Sequence, residues 1–113
     1  GVSFAFADNQ LALAQTGTTL TRALVLGGGS KSAHWVEMLA TTLGVTLDLP
    51  KAGDFGAALG AARLGMMAGT GAGREVVTPP PIARSTEPVE ALRDAMSEGH
   101  ARYRAAYDAL RSL

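Results

Sequence analysis

The sequence predicts an α/β fold, and three observations carry that prediction. Ala23, Leu24, Val25 and Leu26 run straight into Gly27, Gly28 and Gly29, the pattern of a strand that ends at a bare backbone. An apolar helical pattern then leads to a second short apolar run, Val45 to Leu49, and strand, helix, strand in that order implies a parallel pair joined by a right-handed crossover. The end of the chain, from Val89 onward, repeats apolar residues every three or four positions, the stripe of an amphipathic helix.

Taken in order, the first segment is ambiguous. Val2, Phe4 and Phe6 alternate with small residues, Asp8-Asn9 reads as a turn, and Leu11 and Leu13 alternate again, so period two favours a hairpin. Ala5, Ala7, Ala12 and Ala14 are strong helix formers, however, and Val2, Phe6 and Leu13 share one helical face. Thr16 to Thr21 is a polar connection containing Gly17. Leu24, Val25 and Leu26 suit a fully buried strand, after which Ser30 or Ser32 can cap a helix starting at Ala33. Trp35, Val36, Met38, Leu39 and Leu43 are the apolar part of that helix, and Gly44 is its natural C-cap. Val45 to Leu49 is the second strand, stopped by Pro50, and Lys51 to Phe55 is a loop.

Gly56 to Ala68 reads as a helix of mostly tiny residues, Ala57, Ala58, Gly60, Ala61 and Ala62, which suits close approach to another backbone or to a ligand. Leu59, Leu64, Met66 and Met67 supply what core it has. Thr70 to Thr78 is Gly-rich and Pro79-Pro80-Pro81 is a stiff spacer without helix or sheet, so residues 70–87 together read as a linker. Pro88 can occupy the first turn of a last helix over 88–113, whose stripe is Val89, Leu92, Met96, Tyr103, Tyr107, Leu110 and Leu113, with Gly99 weakening its middle. There is no internal repeat.

Composition narrows the function classes. A chain of 113 residues holds one small core and no two-domain enzyme, and 47% hydrophobic against 18% charged residues makes it globular. Ten basic side chains balance ten acidic ones, which removes the broad electrostatic case for nucleic acid or an anionic membrane. With no Cys there is neither a disulfide framework nor a thiolate metal site, which fits the cytoplasm. No apolar run approaches the ~20 residues that cross a bilayer. The first residues lack the basic segment of a signal peptide, and Gly1 in place of Met leads us to expect a piece of a longer chain.

The candidate site is the glycine turn, where free N–H groups and the positive end of a helix dipole would converge on an anion. A dinucleotide fold wants G-x-G-x-x-G, but Ser32 stands at the third position after Gly27 and Gly29, and Asp48 alone could serve as the acid closing a second strand. A P-loop is rejected, because Lys31-Ser32 lacks the glycine before the lysine. A turn that merely lets helix pack on strand stays open on spacing alone.

The run G-G-G-S-K-S-A-H-W-V-E-M-L-A-T-T-L-G, Gly27 to Gly44, resembles the adenosine-contacting motif of the FGGY carbohydrate kinases. The later run G-D-F-G-A-A-L-G-A-A-R-L-G, Gly53 to Gly65, is similar to the helix that follows the motif in that family, and G-V-S-F-A-F, Gly1 to Phe6, to the helix that precedes it. Two motifs in order and correctly separated make the resemblance specific, and it covers Gly1 to about Gly69. It implies an actin-like, ribonuclease-H-type ATPase domain of which this chain is the later part, and a helix rather than a hairpin for Val2 to about Gln15. The resemblance divides the chain into a nucleotide-binding part at 1–69, the linker and the terminal helix.

Carried over residue by residue, Gly27, Gly28 and Gly29 match glycines that lie against the nucleotide, and Ser32 a polar position near the adenosine; Ser30 and Lys31 complete the binding turn. Each also has a plain structural role: Ser32 as helix cap, Lys31 as a solvated charge, Trp35 in core packing rather than ligand contact. His34 and His100 read as ordinary surface or groove residues. Thr41 stands where the family usually has Asp, and Glu37 where Gln is common. Gly56, Ala57 and Gly60 read as helix packing near the domain hinge. None of Asp8, Asp48, Asp54, Asp94 or Asp108 matches the family's general base, so no catalytic residue is assigned. In the intact enzyme the resemblance implies ATP with Mg²⁺ phosphorylating a ketose hydroxyl, with the sugar held by other parts of the protein; this chain alone is expected to be inactive. The alternative from another class is a non-catalytic piece that packs or dimerises through its apolar stripes.

Overall fold

The computed structural model describes residues 1–51 and 56–111. The chain runs α1 (Val2–Gln15), β1 (Arg22–Leu24), α2 (Ala33–Leu43), β2 (Thr46–Pro50), α3 (Gly56–Thr70), β3 (Ile82–Thr86) and α4 (Arg93–Arg111), with short 3₁₀ turns at Gly28–Lys31, Arg74–Val76 and Glu90–Leu92. The sheet order is β1-β2-β3. β1 and β2 are parallel, with Arg22 opposite Thr46 and Leu24 opposite Asp48. β2 and β3 are antiparallel, with Leu47 opposite Thr86 and Asp48 opposite Ser85.

The core lies where α2 covers the sheet. Val36, Leu39 and Ala40 of α2 meet Val25, Val45 and Leu47 in one buried cluster, with Leu20, Ala23, Trp35, Leu43 and Leu49 packed around it. α2 begins and ends as its residues dictate: the Ser32 side chain caps its first turn, and Gly44 closes it in the left-handed conformation at φ 65°. Thr41 ties α2 to the start of the C-terminal region, because its hydroxyl donates to the Glu37 carbonyl and accepts the Val89 N–H at 3.0 Å.

The first segment is a helix over Val2–Gln15, against its local alternation. Small buried Ser3 and Ala7 let it sit close, and the Gln10 amide donates to the carbonyl of Leu43 at 3.0 Å, satisfying one of the acceptors that a helix C-terminus leaves open. On its other side Phe4 packs on His100 and Tyr103 of α4, with ring centroids 5.8 Å apart in both pairs. His100 lies in this groove with Nε2 2.9 Å from Asp8 Oδ1.

Several expectations are corrected. The first strand is Arg22–Leu24 rather than the run Ala23 to Leu26, and of the three residues expected to be fully buried only Val25 is: Leu24 and Leu26 are 46% and 45% exposed. β1 is an edge strand with a helix layer on one face, so alternate residues point away from the core. Pro50 does not stop the second strand but ends it from within, at a bulge opposite Ile82, a place where a missing N–H does no harm. The stretch expected as a linker, 70–87, contains β3, so the sheet has three strands and not a parallel pair alone. Pro79-Pro80-Pro81 is indeed without helix or sheet and delivers the chain to β3. α3 runs on to Thr70, and the last helix starts at Arg93 after a 3₁₀ turn rather than at Pro88. Its apolar stripe is only partly used: Val89, Met96 and Tyr103 are half-buried, whereas Leu92, Tyr107 and Leu110 face outward. The loop expected at Lys51 to Phe55 lies, after Lys51, outside the described residues, as do Asp54 and Leu113.

Candidate functional site

The glycine turn is launched by the sheet. The Val25 N–H donates to the Asp48 carbonyl at 2.9 Å, so the chain stays bonded to β2 for one residue past β1 before it turns. Gly27 then adopts φ 85° and ψ −178°, a conformation open in practice to glycine alone. Ser30 folds the turn back on itself: its N–H and its hydroxyl both donate to the Gly27 carbonyl, at 3.1 and 2.7 Å. The Ser32 N–H donates to the Gly29 carbonyl at 3.1 Å, and its Oγ accepts the Trp35 N–H at 3.3 Å. Gly27, Gly28, Gly29, Ser30, Lys31 and Ser32 are thus one continuous ledge at the N-terminus of α2, where the helix dipole is positive.

The three glycines differ in why they are glycine. Gly27 is fixed by its backbone. Gly28 is fixed by nothing in the fold: its φ is not left-handed and a Cβ built there would meet no atom within 4 Å. Bare backbone facing open space is what close approach of a ligand requires. At Gly29 a Cβ would stand 3.4 Å from the six-membered ring of Trp35, so this glycine lies on the indole. The expected core role of Trp35 holds, since the ring packs against the buried cluster, but the sequence did not show that the same ring underlies the turn. Ser32 is a cap, as one of its two readings had it; Lys31 is exposed at the end of the 3₁₀ turn.

Behind the turn, three strands are tied by one polar group. Arg22 of β1 donates from Nε to Asp48 Oδ2 and from Nη2 to Oδ1, the latter at 2.7 Å, and Ser85 of β3 donates to the same Oδ1 at 2.6 Å. The Arg22 and Ser85 hydrogen bonds hold the Asp48 carboxyl below the usual carboxylate range, while Asp48 raises Arg22. Asp48 is therefore consumed inside the sheet, which removes the acid that a dinucleotide reading needed for a ribose. Pattern alone gave no signal of this group, whose members lie 26 and 37 residues apart.

The small-residue helix does approach the turn. A Cβ at Gly56 would stand 2.5 Å from Leu26 Cδ1, so α3 begins against the residue that precedes Gly27. On the other side an apolar hollow of about 280 Å³ opens between α1, β1 and α2, walled by Phe6, Leu13, Leu24, Leu26 and Trp35. Asp8 meets His100 and Arg104 on α4, and Asp94 lies in the first turn of α4. Among the described residues no group of three or more His, Cys, Asp or Glu could hold a metal ion, and no helix is long and apolar enough to cross a membrane.

Comparison with known proteins identifies the family and the fold. Residues 1–69 match the model of the C-terminal domain of the FGGY family of carbohydrate kinases. The xylulose kinase of Escherichia coli (strain K12) is 41% identical over 68 residues, and that of Klebsiella pneumoniae 40% over 68; each alignment covers 60% of this chain and 14% of the relative. The chain thus spans about one seventh of the length of these relatives. The crystal structure of a "xyloylose kinase" from Brucella ovis superposes with a TM-score of 0.88 and 51% identity, covering all of this chain and 24% of that one. The xylulose kinase from Rhodospirillum rubrum, at 24% identity and a TM-score of 0.77 over 98% of this chain and 23% of its own, shares the fold. The α/β class and the actin-like ATPase assignment hold, and the chain belongs to the FGGY family of carbohydrate kinases, to whose C-terminal domain its first 69 residues correspond.

Proposed function

We propose that this chain supplies the adenosine end of the nucleotide site of a xylulose kinase, which transfers a phosphoryl group from ATP to D-xylulose. The observation that carries the reading is Gly28: a glycine which the fold does not require, on a ledge of bare backbone at a helix N-terminus. The names of the relatives at 40 to 51% identity support the sugar.

Each residue of the ledge has a part. Gly27 turns the chain out of the sheet, Gly28 leaves the main chain open to the nucleoside, Gly29 lets the ledge lie on the Trp35 ring, and Ser30 and Ser32 hold the turn through the bonds described above. Lys31 adds positive charge at the rim. Bound Mg-ATP supplies the transferable phosphoryl group, with the metal neutralising its oxygens. The sugar and its general base belong to other parts of the enzyme, so the chain alone is expected to be inactive. Its balanced charge disfavours nucleic acid as a partner, and its setting is the cytoplasm.

The test is an ATP titration of the chain followed by backbone amide NMR. Shifts should be confined to residues 27–32 and neighbours, be absent with NAD, and be lost in Gly28→Val while the β2 amides stay in place. Equal ATP shifts in Gly28→Val would sink the anchor. A second reading, association through apolar surface, is favoured by the open β1 edge with Leu24 and Leu26 beside it. A dimer seen by sedimentation, together with no response to ATP, would put that reading first.

A further inference from the structure

We propose that Trp35 is a positioning residue for the glycine turn: its indole is the floor on which Gly29 rests, and it sets the height of the nucleotide ledge. This rests on the nucleotide-anchor reading of that ledge. Three contacts converge on the ring and its residue. The six-membered ring stands 3.4 to 3.7 Å from where a Gly29 side chain would begin, so nothing lies between indole and turn. The Trp35 N–H is held by Ser32 Oγ, which anchors the residue to the far end of the same turn. Phe6 of α1 meets the ring edge-on, with centroids 6.4 Å apart and planes at 74°, and blocks its retreat into the apolar hollow.

The turn needs such a support. A run of three glycines has more freedom to lose on ordering than any other sequence. A rigid aromatic surface under Gly29 fixes the turn without placing any atom on the ligand side, where Gly28 faces open space. α1 thereby acts on the ledge at one remove, through Phe6 and the indole.

Trp35 is the only tryptophan in the chain, so tryptophan emission reports on the surroundings of this one ring. Adding ATP to the wild-type chain should change that emission, and Gly28→Val should remove the change. Trp35→Leu should weaken ATP binding on the order of tenfold or more, as a misplaced binding group does. It should also speed hydrogen exchange at the Ser30 and Ser32 amides while leaving Leu47 and Asp48 protected. Trp35→Phe, which restores a ring under Gly29, should recover most of both. Unchanged affinity and exchange in Trp35→Leu, with wild type binding ATP and Gly28→Val not, would overturn the positioning role and leave the anchor standing. Faster exchange spread evenly through β2 would make Trp35 a core residue only. A wild-type chain that does not respond to ATP at all would overturn the anchor, and the floor with it.

Discussion

Two helices of similar apolar content have opposite fates in this molecule. α2 places Val36 and Ala40 wholly out of water against Leu47 and Val45, whereas α3 buries none of its residues and leaves Leu64 67% exposed. Apolar composition therefore does not decide burial; the layer beneath does. α2 has a sheet to cover, because β1 and β2 flank it in sequence and pair in parallel, while α3, among the described residues, meets Leu26 at Gly56 and Thr78 at Arg63 without covering the sheet's core cluster. Stability is concentrated around α2, which is also the element that bears the ledge.

The sharpest way to break this contrast is to truncate both sides. Leu47→Ala should cost about 2–5 kcal/mol in urea unfolding, as buried leucines do. Leu64→Ala should stay within about 0.5 kcal/mol. Equal losses would mean that α3 is part of the cooperative core. Within the α2 region the glycines can be separated next. Gly27→Ala should destabilise by about 1–3 kcal/mol, through backbone strain alone, since no atom crowds the added methyl. Gly28→Ala should leave the melting temperature unchanged and act on ATP affinity only; a comparable loss of stability there would take away the argument for ligand approach.

The smallest effect concerns the polar tie of the sheet, because the Arg22 side chain is 58% exposed and water screens the pair. Asp48 titrates below its unfolded value of about 3.9, so its contribution is complete above that pH and is lost as the pH falls through the folded value. Wild type should therefore lose stability from pH 5 to pH 3 more steeply than Asp48→Asn, measured as urea midpoints. Parallel slopes for the two would show that the tie does not contribute.

Much of the α2 region was legible because its signals are local. Three glycines after an apolar run, Ser32 before Ala33 and Gly44 after Leu43 each act within a few residues of where they stand. β3 was not legible. Ile82, Ala83, Arg84, Ser85 and Thr86 show no alternation and are mostly exposed, so only pairing with β2 makes them a strand. α1 illustrates the middle case, a local alternation overruled by packing on α2 and α4, which resemblance anticipated and periodicity did not. The glycine turn and its Ser32 cap could be read from sequence, but not the indole beneath the turn, because that contact depends on how Gly29 is turned.

The tie from Arg22 through Asp48 to Ser85 also says where this protein can be divided. The family match stops at residue 69, yet Ser85 lies beyond it and completes the sheet. A cut at that boundary would strip β2 of its antiparallel neighbour, turn the central strand into a bare edge and leave Asp48 with one partner fewer. The portable module, the shortest piece to graft or exchange between kinases without tearing its sheet, reaches at least to Thr86.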